Sequence, residues 1–398
     1  MAMLPIEDLK QRPPLVGWAP FALGFRPFFL SAGLYAVLMM GLWLLVLRGG
    51  LSLGELPPPI WHGHEMLFGF AVAVIAGFLL TAAQNWTGIP TPSGPPLAAL
   101  FLLWLAGRLV FLFPLLPPLM IAAIDFAFLP VLAIALALSV LRARQLHNYP
   151  FLLMLLVLAA ANALVHAGSL EWIAVSSSLG LHLAAYVIVM MMTVMGGRVI
   201  PSFTDNKLRT RARRWKAIEI LVPASTLAAL IAALATPFSI VTALLAALAA
   251  AAHAVRLAGW YTNKYWSVPL LWILHLGYAW IAAGFALLAL SAAGMGAAAG
   301  SALHAFTAGA IGTLTLGMMA RVSLGHSGRM LEPAPLMTWA FVAVNLAALV
   351  RIAQPLLFPS QHASGMVIAG VLWIAAFGLF AAIYAPILLR PRVDGKPG

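Results

Sequence analysis

Trp61-His62-Gly63-His64-Glu65 places two imidazoles and a carboxylate at the head of an apolar run, Met66 to Ala83, long enough to cross a bilayer. Ionisable groups are costly at membrane depth, so they read as a site by default. Imidazole there serves as a metal ligand or a proton carrier. In the headgroup region the same residues would be cheap and unremarked, so their level in the membrane decides between the two readings.

That level follows from the spans. The chain has 398 residues, of which 63% are hydrophobic and only 8% charged, far below the roughly 25% of a soluble domain. A window of about 19 residues resolves twelve spans, so the fold class is all-α and polytopic, a single integral membrane domain over 1–398. They run over residues 25–47, 62–83, 96–113, 118–141, 151–168, 179–200, 217–235, 238–257, 266–290, 301–322, 335–357 and 365–389. Pro, Gly and polar clusters separate them, among them Pro57-Pro58-Pro59, Pro90 to Pro96, Pro114 to Pro118, Pro201 to Asn206 and Gly294 to Gly300. Residues 1–21 carry Glu7, Asp8, Lys10, Arg12 and the Pro13-Pro14 pair without an apolar core, so no cleavable signal peptide is expected.

Cytoplasmic loops of membrane proteins are enriched in Lys and Arg. With the N-terminus inside, only Arg48, Arg108 and Arg351 of the 22 basic residues fall outside, which predicts two cytoplasmic termini and an even number of spans. The net charge of +12 then needs no nucleic acid: the run Lys207 to Lys216 reads as an inner loop touching anionic lipid.

This topology sorts the polar residues by level. His62, His64 and Glu65 open the second span, Asp125 lies two turns into the fourth, Asn162 and His166 close the fifth, His182 opens the sixth and His304 opens the tenth. Five histidines from four spans thus fall within about 10 Å of the outer boundary at 1.5 Å per residue. Together they point to an outer-leaflet metal centre, whereas His166 or His182 alone would read as an interfacial helix residue. His275 sits near mid-membrane, and His147, His253 and His326 belong to the inner side. The chain has no cysteine, which removes disulfides, Cys-ligated zinc, iron–sulfur clusters and covalent haem attachment. Any metal must be held by His, Met, carboxylate or a dissociable porphyrin.

His64, His182 and His304 recur roughly 120 residues apart and open every fourth span, which suggests three four-helix units. Met195-Gly196-Gly197-Arg198-Val199 follows His182 much as Met318-Met319-Ala320-Arg321-Val322 follows His304; the segment after His64 lacks the arginine. Residues two apart on a helix point nearly oppositely, so His62 and His64 share one centre only if His62 precedes the first helical turn, as the three prolines before it would permit. Tyr186 lies one turn after His182 and offers a phenol beside that imidazole. Gly309 and Gly312 with Ala305 and Ala308 leave a low surface for a flat macrocycle or a neighbouring helix, the latter being the commoner use. Met190, Met191, Met192, Met195, Met318 and Met319 lie at inner ends, where core packing rather than copper is expected.

Several segments carry a family resemblance: Phe25-Arg26-Pro27-Phe28-Phe29, Trp61 to Phe70, Ala76 to Ala82, Asn85-Trp86-Thr87-Gly88, Gly196 to Thr204 and Leu324-Gly325-His326-Ser327-Gly328-Arg329 resemble the NnrS family. The resemblance implies a multi-pass haem- and copper-containing protein of the bacterial inner (cytoplasmic) membrane, acting in nitric oxide metabolism or protection against nitrosative stress. The layout is also similar to the large subunit of haem–copper oxidases, but the paired seventh-span histidines of those enzymes are absent here. On this basis His304 with His62 or His64 is expected to ligate haem b, and His182 with His166 to hold copper. Glu65, Asp125 and Tyr186 are expected to carry protons and Arg108 to pair a propionate. Nitric oxide is the expected ligand or substrate, and the electron donor is not named by any residue. An oxidoreductase is one expectation; the alternative is a transporter of copper or a nitrogen oxide without redox turnover.

Overall fold

The computed structural model describes residues 17–51, 56–174, 176–295 and 298–396; Glu7, Asp8, Lys10, Arg12 and the Pro13-Pro14 pair lie outside them. Among the described residues no strand is formed, and twelve helices are long and apolar enough to cross a membrane. They are Phe25–Leu47, Pro58–Thr87, Pro95–Leu112, Pro118–Arg142, Leu146–Ser169, Ser177–Leu208, Lys216–Ala235, Ile240–Gly259, Pro269–Ala292, Ala299–His326, Pro335–Leu357 and Pro359–Leu389. The chain is therefore an all-α, multi-pass membrane protein.

Two boundaries differ from the sequence reading for local physical reasons. The second span starts at Pro58, because proline suits the first helical position, where its missing N–H costs nothing. His62 and His64 are thus both helical and cannot share a centre. The sixth span continues through Pro201 to Asn206, expected as a separator, and ends only where Arg209 turns left-handed at φ 54. Its extra turns carry Asp205, Asn206 and Lys207 and are only partly buried.

Neighbouring spans pack in chain order, and the twelfth closes on the first. The second and tenth spans are drawn to the centre of this ring: 83% and 72% of their apolar windows are buried, against 28% for the first. The sixth touches both. The spans on which His64, His182 and His304 recur are those that converge. At their far ends Arg198 donates to Asn148 Oδ1 at 3.1 Å, and Arg321 lies 3.8 Å over the Phe203 ring. A buried polar chain joins the sixth to ninth spans. Arg256 pairs with Glu219 and donates to Thr193 O and Tyr278 Oη; Tyr278 Oη lies 2.9 Å from His253 Nδ1, and His253 Nε2 meets Thr226 Oγ1 at 2.9 Å.

Both central spans loosen into a π-helical stretch directly after a histidine: Glu65–Ala71 after His64, and Ala305–Ile311 after His304. Such stretches widen the helix and shift its carbonyls out of register, and they cluster at functional sites. In the second span Trp104 Nε1 donates to Gly69 O at 3.1 Å. In the tenth, Gly309 and Gly312 face Trp280 and Trp373, so their low surface serves helix packing.

Candidate functional site

The histidine end of the bundle holds two separate arrangements. The first is a closed cluster on the second to fifth spans. His64, Glu65, Arg108 and Asp125 are each no more than 3% exposed. Arg108 donates to Glu65 Oε1 at 2.9 Å and also pairs with Asp125 Oδ1. His64 Nδ1 lies 2.8 Å from Glu65 Oε1, and its Nε2 lies 3.1 Å from Asp125 Oδ2. That same Oδ2 accepts from Asn162 Nδ2 at 2.8 Å and faces His166 Nε2 at 2.9 Å. Tyr35 donates its hydroxyl to Glu65 Oε2. It reaches there because Gly69, one turn further on, has no side chain: a Cβ would come 2.4 Å from the Tyr35 ring.

Hydrogen-bond inventory fixes what this cluster can hold. Ionised carboxylates only accept, yet both nitrogens of His64 face carboxylate oxygens. With neutral imidazoles the cluster has one cation, Arg108, against two anions. One further positive charge closes the balance: a proton on His64 or on a carboxylate, or a monovalent cation shared by His64, His166 and Asp125. The ligand atoms of those three residues lie within 4.8 Å of one another.

The second arrangement is a cavity of about 350 Å³ where the second, sixth and tenth spans meet. His62, His182 and His304 line it, with Arg351 from the eleventh span and otherwise mostly apolar side chains such as Met66, Phe70 and Trp373. His182 Nδ1 and His304 Nδ1 each lie 2.7 Å from the carbonyl four residues earlier, Ser178 O and Gly300 O. A carbonyl cannot donate, so both Nδ1 atoms carry a proton, which in a neutral imidazole leaves the Nε2 lone pair for a ligand. This is how proteins prepare an imidazole for a metal. His62 stacks on Trp43 at 4.4 Å, and its Nδ1 is buried without a hydrogen-bond partner among the described residues.

A family model described as NnrS protein matches residues 19–392. The chain belongs to the NnrS family. No curated protein matches it. Membership makes this NnrS chain a membrane protein linked to the nitric oxide response.

The NnrS chain splits the histidines that the sequence placed at one level. His62, His182 and His304 come together; His64 and His166 come together elsewhere, with Glu65 and Asp125. Arg108, expected beside a propionate, is engaged by the two carboxylates, and Arg351 is the arginine on the cavity. Tyr186 sits one turn below His182, its ring 6.1 Å from the imidazole and 6.3 Å from Phe306. Sequence reasoning missed Tyr35 and Trp43, whose types are ordinary for a first span. Arg351 carried a signal, being one of three arginines on the sparse side.

Proposed function

We propose that this NnrS chain binds haem b non-covalently in the histidine cavity and takes up nitric oxide there, and that the closed cluster holds copper. The matched setting of His182 and His304 carries the reading: two imidazoles from different spans present unprotonated nitrogens on the wall of one apolar cavity, as a dissociable macrocycle requires. His304, together with His62 or His182, would hold the haem, and Arg351 is the cation available to a propionate. When bound, the haem supplies an iron that can take a diatomic ligand.

For the cluster, two imidazoles and a carboxylate suit copper, and a cuprous ion would supply the one positive charge that the balance calls for. His64, His166 and Asp125 would hold it, with Arg108 keeping Asp125 oriented. In its absence the same groups would hold a proton, and Glu65, Asp125 and Tyr186 would serve as the proton carriers. Turnover by an oxidoreductase would draw on that store.

The transporter alternative calls for helices broken near the midplane. The second, sixth and tenth spans run through as continuous helical segments, which favours binding or redox chemistry.

Purified protein is expected to show a Soret band, about one iron per chain, and copper by elemental analysis. His304→Ala should lose the band, and haem content unchanged in that variant would overturn the assignment. His166→Ala should lose copper while keeping haem.

A further inference from the structure

A second cavity, of about 100 Å³, lies on the same three spans and next to the histidine cavity along their axes. Its lining begins about one helical turn beyond that cavity's. On the second span the wall passes from Phe70 to Val74, on the sixth from Ala185 to Ile188, and on the tenth from Ile311 to Leu314. The wall is apolar throughout. Its hydroxyl, Thr315 Oγ1, is occupied by Ile311 O at 2.6 Å and Gly312 O at 3.1 Å. A buried water molecule needs two to four polar partners, which this wall does not offer, so the chamber suits apolar guests. Its volume has room for a diatomic molecule. Met192, Met195 and Met318 on its wall are half-buried, and thioether side chains repack readily around a small guest.

We propose that this chamber is a binding site for small, neutral, apolar gases, and that it feeds such a gas to the histidine cavity one turn away. The identity of the reacting gas rests on the function proposed above; the chamber itself does not.

Xenon is the probe for the chamber, applied to the purified full-length protein and read by xenon NMR. Wild type should bind xenon, Val74→Phe and Ile188→Phe should abolish that binding by filling the space, and Val74→Ala should strengthen it. No xenon bound by the wild type, or binding equal in all four proteins, overturns the chamber. The opposite sign expected for Val74→Ala separates filling from misfolding. Carbon monoxide association with haem tests the route: it should slow about tenfold in Val74→Phe, and an unchanged rate in a variant that has lost xenon overturns it. A protein without a Soret band defeats the haem reading while the xenon result still decides the chamber.

Discussion

His62 and His64, two residues apart in one helix, face different chambers: His62 stacks on Trp43 in the cavity shared with His182 and His304, whereas His64 lies between Glu65 and Asp125. The tryptophan-flanked pair therefore links two sites rather than building one.

Haem and copper content should separate along that line. His304→Ala should lose the Soret band, while His64→Ala should keep it and lose copper. Optical spectra with elemental analysis of the two variants decide this, and loss of both metals in both variants would refute the division.

Removing Arg108 leaves Glu65 and Asp125 buried with one positive charge fewer. Arg108→Gln should destabilise the protein by about 3–5 kcal/mol, the usual cost of stranding a buried charge. Lysine lacks the planar fork that reaches two carboxylates at once, so Arg108→Lys should recover only part. Thermal unfolding in detergent measures both.

Gly69→Ala should push Tyr35 away from Glu65, because the new Cβ would lie 2.4 Å from Tyr35 Cε1. A loss of about 1–3 kcal/mol is expected for overpacking of this kind. Tyr35→Ala should remove most of that penalty in the double variant, and a strictly additive cycle would show that the ring is not what Gly69 makes room for.

The C-terminal segment offers a pH test outside the spans. Arg392 donates to His326 O at 2.8 Å and pairs with Asp394, and hydrogen bonds from Arg392 hold the Asp394 carboxyl down at about 2. A lowered carboxyl stabilises the folded arrangement above its unfolded value and loses that contribution as pH falls toward the folded one. Docking of residues 392–394 should therefore be constant at neutral pH and weaken between about pH 4 and 2. Hydrogen exchange at the Val393 amide, which donates to Ser327 O, reports it; Arg392→Gln should raise the carboxyl's titration midpoint toward its ordinary range.

The amino-acid sequence by itself determined the membrane-spanning class and the twelve spans, most of them to within a few residues, and it put His62, His64, His166, His182 and His304 at the ends of their spans. Composition and an apolar window carry these, because each span must satisfy its own backbone in lipid. Depth is likewise a one-dimensional property that the rise per residue reports. Facing was decided elsewhere. Whether His62 was helical depended on where the helix began among three prolines, and the partners of each imidazole depended on which spans converge. The π-helical stretches after His64 and His304 also rotate everything beyond them. Only packing in three dimensions sets Arg108 against Glu65 and Asp125 and brings Arg351 to the cavity that His62 lines, because which side chains of different spans meet depends on the order in which helices close the ring.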